Sequence, residues 1–599
     1  MLERSTRDLA HYTTVSPPLA ARRALFAVLV AATMAGMLWM MAIALSAGGF
    51  GILDALVLVM FALTLPWTVI GFWNAMIGFL LMRFARDPVA AVTPAVARIR
   101  GDEPVTAATA ILMCIRNEAP ERVIRNIEPM MADLVTSGFA DRFHVYVLSD
   151  TSLDDVAVSE TTQFGILTAR WRGRIALTYR RREVNTGFKA GNVRDFCERW
   201  GDQHELAVTL DTDSLMPGAA VLRLVRIMQA DPRLGILQSL VIGLPSTSAF
   251  ARLFQFGMRL SMRSYTIGGA WWQGDCGPYW GHNAALRLAP FIAHCKLPVL
   301  PDDSPFGGHV LSHDQIEATL MRRGGYEVRA LPEEDLGWEE NPPTLIEFVR
   351  RDLRWCQGNM QYWHFLTWPG LKPVSRYQLA FAILMFVGSP AWIGLLVLGT
   401  LMAAFAELPA DVIQADMGIA VFVLVLVMWF SPKIATAIDI LLRPDLRRAF
   451  GSLSKFFVSI VAEGVFSVLL VPIMWFGHTK FLIGLLFGRT IGWIGQLRDD
   501  HSVPIFVAVQ NFWQQTVLGV VALGLLAATQ PAAIPYALFI AGGLALSIPL
   551  AVITSLPALG IAFTRIGIGR LPEETEPPAI LEMIELPAII VAASKPRAA

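Results

Sequence analysis

Asp211 and Asp213 stand two residues apart where the apolar run Leu206–Leu210 ends. Two carboxylates so spaced can share a hard divalent cation that also binds phosphate oxygens, although the same pair can simply shape a turn. Neighbouring runs favour the first use. His144–Leu148 is followed by Asp150, and Ala110–Cys114 by Arg116, Asn117 and Glu118. Three polar strand ends suit one nucleotide cleft, because ligands of parallel sheets bind beyond the carboxyl ends of the strands. Between these runs, Asn185–Asn192 brings Gly187, Lys189 and Gly191 to the opening of a helical pattern. A flexible glycine turn carrying a lysine is what diphosphate recognition needs; the alternative is a plain glycine loop with a solvated lysine.

Asp314 follows Ser312 and His313 and opens the helical pattern 315–323. It reads as an N-cap, or as the general base that takes a proton from an attacking hydroxyl. His313 then shapes the site instead of holding a metal. In Arg350–Asn359, Trp355 is wedged among Arg350, Arg351 and Arg354. Guanidinium forks can neutralise a departing diphosphate, and an indole can floor a sugar ring. The cluster running from Trp271 to Trp280, His282 and Asn283 reads as an acceptor wall, or as tryptophans facing lipid headgroups.

Such residues need elements to hold them. Residues 83–377 have ordinary polar composition, and short apolar runs alternate there with helical patterns, which implies a largely parallel sheet covered on both faces. The rest is greasier: 54% of the 599 residues are hydrophobic and 16% charged, against about a quarter charged in soluble proteins. Runs long enough to span a bilayer lie at 24–45, 54–82, 379–405, 417–441, 513–530 and 534–556. Arg22, Arg23, Arg83, Arg86, Arg443, Arg447, Arg448 and Lys455 mark the cytoplasmic ends, whereas the opposite loops, among them the one with Glu407, Asp411 and Asp416, carry no basic residue. Both termini and residues 83–377 are thereby expected in the cytoplasm.

The expected divisions are a cytoplasmic N-terminus (1–23), a membrane hairpin (24–82), the cytoplasmic α/β domain (83–377), transmembrane or interfacial helices (378–560) and a cytoplasmic tail (561–599). The stretch 456–497 is apolar but holds Glu463, Lys480 and Arg489, and with cytoplasmic flanks it must cross twice or not at all. From about Arg570 the chain is rich in Pro and Glu and is expected to be mostly disordered. A net charge of zero speaks against a nucleic-acid partner. Five cysteines without a CxxC pair speak against a zinc site or a disulfide framework.

Taken in this order, the motifs resemble those of the family-2 glycosyltransferases with a GT-A fold, in the processive branch that includes cellulose and hyaluronan synthases. Asp150 matches the uridine-side Asp, Asp211 and Asp213 the metal-binding pair, and Asp314 the catalytic base. Arg351–Trp355 matches the Gln-x-x-Arg-Trp motif, with Arg351 where Gln is usual. A closer resemblance is to the glucosyltransferases that make the osmoregulated periplasmic glucan backbone of Gram-negative bacteria. Leu148–Thr151, Tyr279–Ala284, Ser312–Asp314 and Arg351–Asn359 carry it, as does Phe476–Phe481, which is loosely similar to a cellulose-synthase gating loop through Phe476, His478, Thr479 and Lys480.

The resemblance implies UDP-glucose as donor, Mg2+ or Mn2+ on Asp211 and Asp213, and a β-1,2-linked glucan passed across the inner membrane to periplasmic modifying proteins. It further implies that Glu118 and Asp150 hold the nucleoside, Lys189 and Arg354 the diphosphate, and Trp280, His282, Asn283, Arg351 and Trp355 the acceptor. Two rivals are a transferase acting on a polyprenyl-phosphate or other lipid, and a nucleotide-binding transporter or osmosensor without catalysis.

Overall fold

The computed structural model describes residues 17–301, 306–406, 412–492 and 497–584. Glu407, Asp411 and residues 585–599, used above for orientation or tail, lie outside them. The sheet strands are β1 (Thr109–Ile115), β2 (Phe143–Ser149), β3 (Ala176–Arg181), β4 (Leu206–Leu210), β5 (Leu234–Ser239), β6 (Ala284–Arg287) and β7 (Glu327–Leu331). They lie in the order β7-β5-β6-β4-β1-β2-β3. Only β6 runs antiparallel to its neighbours. β4 and β5 are buried throughout, as expected of strands covered on both faces.

The helices on this sheet include α3 (Pro120–Thr136), α4 (Asp154–Trp171), α5 (Phe188–Trp200) and α6 (Gly218–Ala230), preceded in the chain by the membrane hairpin α1 (Pro17–Leu45) and α2 (Ile52–Phe84). One apolar layer joins α3 and α6 to one face of β1, β2 and β4. A second covers the opposite face. The sheet is thus the GT-A-like α/β architecture expected of residues 83–377.

Toward the membrane lie α7 (Ala249–Gln273), α8 (Asp314–Arg323), α9 (Leu345–Met360), α10 (Pro373–Phe405), α11 (Ala415–Leu441), α12 (Leu453–Leu486), α13 (Ile505–Thr529) and α14 (Pro557–Ile566). Six helices are long and apolar enough to cross a membrane, and a seventh span arises if the pair Pro531–Ala545 and Ser547–Thr554, bent by 56°, counts as one. The chain is a multi-pass membrane protein. Five of the six expected runs fall on single helices, and the run 534–556 falls on the bent pair.

For the stretch 456–497, expected to cross twice or not at all, the helix pair that two crossings need is absent among the described residues. The stretch is dominated by one unbroken helix, α12, of 34 residues, about 50 Å long. Near its start Phe456 lies 6.0 Å from Phe256 of α7, and near its end Leu485 packs with Cys356 of α9. Ile491 then donates its backbone N–H to Gln357 at 2.8 Å. Both ends of the helix thus meet elements of the α/β part, and the helix is itself one of the six long and apolar enough to cross a membrane. The Phe476–Lys480 segment is helical too, which overturns its reading as a loop. His478 sits between Ser389 of α10, at 2.9 Å, and Asp352 of α9.

The tail also departs from expectation. Residues 570–584 pack back over α7: Glu574 reaches the buried Arg252 at 3.0 Å, and Glu573 meets Arg259 at 2.7 Å. Ile580, Leu581 and Ile584 cluster with Leu215 and Trp338. Composition marks these acids as solvated, but Glu574 neutralises the buried Arg252, and Glu573 shares Arg259 with Glu334, 3.0 Å away. Glu574→Ala should cost about 3–5 kcal/mol, read as a lowered Tm of the purified protein and faster proteolytic loss of the C-terminus.

Candidate active site

β4 delivers Asp211 to a turn closed on itself, since Ser214 N donates to Asp211 O and Asp211 N donates to Ser214 Oγ, both at 3.0 Å. The buried Asn126 of α3 donates to Thr212 O at 2.9 Å. On the far side, Leu215 and Trp338 exchange backbone hydrogen bonds of 2.8 and 2.9 Å. The two aspartates therefore sit on a turn held from three directions.

Lys189 enters from the first turn of α5. Gly187 has φ +73°, and a Cβ on Gly191 would come within 1.9 Å of Thr186 O, so both glycines are needed for the turn. Lys189 Nζ pairs with Asp211 and donates to Gly281 O at 2.9 Å. Burial opposes both charges, yet the ammonium is held above its ordinary range and the Asp211 carboxyl below its own, each by the other. Gly281, at φ +80°, has open space for a Cβ only to 3.5 Å from Asp314 Cβ. Asp211, Lys189, Gly281 and Asp314 thus follow one another across a single cleft.

His313, and not Asp314, takes the N-cap position of α8. The capping alternative for Asp314 therefore fails, although its charge still suits the first helical turn. His313 Nδ1 lies 2.8 Å from Glu317. Burial opposes charge on the imidazole, but Glu317 holds it above its usual range, in keeping with a shaping role. α9 crosses directly over this loop, and a Cβ on Gly358 would meet Ser312 Oγ at 2.1 Å. Gly358→Ala should displace Ser312 and its neighbour Asp314 and lower kcat by about tenfold or more. Initial rates at saturating donor check this.

The remaining expected residues are placed unevenly. Asp150 is buried at the end of β2 in a two-pronged pair with Arg182, at 2.6 and 2.7 Å. Glu118 lies near the Asp-x-Asp turn, and burial raises its pKa. Arg351 lies 5.0 Å over the Trp355 ring. Trp355 is 49% exposed, as an acceptor floor needs. Trp280 is half-buried, with its N–H donated to Gln238 at 2.8 Å. Burial of Arg354 depresses its pKa. Asn283 is a correction: it is 0% exposed, at φ +49°, with its N–H given to Thr209 O at 2.7 Å. It holds the start of β6 and offers nothing to an acceptor. Phe476, His478, Thr479 and Lys480 lie on α12, whose His478 pairs with Asp352 of α9.

Several residues escape the sequence motifs. Gln238 ties Trp280 N to His282 O, and Glu339 lies 3.8 Å from His282. Arg498, from the segment after α12, lies on Asp213. The one signal for Arg498 is the charge argument that returns this segment to the cytoplasmic side. Among the described residues, three non-glycines have left-handed backbone, Asn117, Phe188 and Asn283. Each lies on a different loop of this cleft, where strained conformations gather.

The arrangement joins paired carboxylates, a lysine and a third carboxylate without a capping duty. Comparison with known sequences points the same way. The family model described as "Glycosyl transferase family group 2" matches residues 206–432. Glucans biosynthesis glucosyltransferase H of Vibrio cholerae serotype O1 is 35% identical over 89% of this chain and 75% of that protein. The protein of the same name from Xanthomonas oryzae pv. oryzae is 32% identical over 97% of this chain and 91% of its own. The solved mannosyltransferase PcManGT from Pyrobaculum calidifontis, in complex with GDP-Man and Mn2+, overlaps 60% of this chain and 99% of its own at a TM-score of 0.36 and 19% identity.

Proposed function

Because the chain belongs to the glucans biosynthesis glucosyltransferase H family, and so is a glycosyltransferase, we propose that it transfers glucose from UDP-glucose, with inversion, onto a growing β-1,2-glucan that passes across the inner membrane. The observation that supports this reading is the pairing of Lys189 with Asp211 and Gly281 O, with Asp314 placed beside Gly281. A donor diphosphate on the first pair would bring its sugar to Asp314.

Asp211 and Asp213 suit a divalent cation such as Mg2+ or Mn2+. Both are hard oxygen donors on one turn, and the described residues offer no group of three or more metal-binding side chains. Such ions are commonly held by one or two carboxylates, with substrate phosphates and water completing the shell. When bound, the cation would offset charge that develops on the leaving diphosphate.

The chain's own groups supply the rest. Asp314 takes the proton from the acceptor hydroxyl as that oxygen attacks the anomeric carbon and the bond to UDP breaks. Lys189 and Arg354 hold and neutralise the UDP leaving group. Glu118 and Asp150, the latter fixed by Arg182, shape the nucleoside end. Trp280 and Trp355 give the sugar chain flat apolar faces beside the membrane helices.

Incubating the purified protein with labelled UDP-glucose and Mg2+, then sizing the product and analysing its linkages, tests the proposal. A β-1,2-linked polymer with matching UDP release is expected. A single glucose on an extractable lipid would replace it with the lipid-acceptor reading, and absence of UDP release would remove both.

A further inference from the structure

Arg498 stands 285 positions beyond Asp213 in the chain, yet its guanidinium rests on the Asp-x-Asp turn. Nη1 lies 2.5 Å from Asp213 Oδ2, and Nη2 lies 3.4 Å from Thr212 Oγ1 and 3.8 Å from Glu118. Glu340 closes the group at 4.0 Å. The side chain is 13% exposed, and its Nε has no hydrogen-bond partner. Next to it, Asp499 pairs with Arg122 at 2.7 Å, and Arg122 also grips Glu340 at 2.6 Å. The segment is therefore fastened to α3 as well as to the turn.

Each carboxylate of the pair thus has a cation from the chain itself, Lys189 on Asp211 and Arg498 on Asp213. A divalent ion such as Mg2+ held by the pair needs oxygen contacts at about 2.0–2.1 Å, and at Asp213 Oδ2 it would compete with the Arg498 Nη1 that rests there. Driving a guanidinium from its hydrogen-bonded carboxylate in a mostly buried site is costly unless a new anion takes it up, since Glu118 and Glu340 stand off at 3.8 and 4.0 Å. The anion arriving with the metal is the donor diphosphate, and the planar guanidinium fork matches phosphate oxygens well.

We propose that Arg498 is a resident counter-ion of the donor site that exchanges partners, resting on Asp213 when no donor is bound and on the diphosphate when the metal–nucleotide complex enters. The proposal rests on the donor-site reading above. Its signature is a pair of effects with opposite sign. Without nucleotide, Arg498 competes with the metal; with nucleotide, it supports binding. A side chain that merely held the loop in shape would help both.

Mn2+ titration of the full-length protein, followed by the electron paramagnetic resonance signal of free Mn2+, separates these cases when run with and without UDP. Arg498→Gln should bind Mn2+ alone on the order of fivefold more tightly, and should bind UDP in the presence of Mn2+ on the order of tenfold more weakly. Arg498→Lys keeps the charge and loses the fork, so Mn2+ alone should bind as in the unaltered protein while UDP binding weakens. Weaker or unchanged Mn2+ binding by Arg498→Gln would overturn the exchange. If UDP fails to promote Mn2+ binding to the unaltered protein, the donor-site reading falls, and this proposal with it.

Discussion

Asp314→Asn should reduce glucan elongation by about 10²–10⁴-fold, the range associated with losing a positioned general base, while UDP binding stays near that of the unaltered protein. The amide occupies the same volume and cannot accept the acceptor's proton. Asp314 sits across Gly281 from Lys189, so its removal leaves the Lys189–Asp211 pair in place. Radiolabel incorporation, run beside UDP binding measured by calorimetry, checks both halves. Near-normal elongation by the variant would remove Asp314 from the chemistry.

Asp211→Asn and Asp213→Asn should each lower kcat/KM by about a thousandfold, since a bound cation supplies several kcal/mol of charge stabilisation. Excess Mg2+ should restore little. The two variants differ in what they leave behind: Asp211→Asn strips Lys189 of its carboxylate partner, and Asp213→Asn does the same to Arg498. Rates measured across a Mg2+ series distinguish a weakened metal site, which shifts the midpoint, from a collapsed turn, which lowers every rate alike.

Much of the scaffold is readable from the chain because buried parallel strands are short apolar runs. The runs at 110–114, 144–148 and 206–210 coincide with β1, β2 and β4 to within a residue at either end. Lys189 and Asp314 are marked by local chemistry, a glycine turn in one case and a helix start in the other. The antiparallel strand β6 is harder to see, since four residues, Ala284–Arg287, cannot be told apart from the tryptophan-rich motif before them. The same motif explains the misreading of Asn283, whose side chain is buried although that of His282 beside it is partly exposed.

Long-range pairings leave no local trace. Charge and hydropathy show that 456–497 carries ions within an apolar stretch, but not that His478 has Asp352 as a partner or that the segment runs on to place Arg498 on Asp213. The C-terminal acids mislead for a related reason. Glu573 and Glu574 look solvated until Arg259 and Arg252, more than 300 positions earlier, are seen to be buried beneath them.

The claim on which everything turns is that paired aspartates and a third carboxylate face one sugar carbon. An experimental map of the protein with UDP and Mn2+ bound measures this directly. Mn2+ on Asp211 and Asp213, with the terminal phosphate directed toward Asp314, is the expected result. Nucleotide bound elsewhere, or a metal that leaves both aspartates on Lys189 and Arg498, would contradict it.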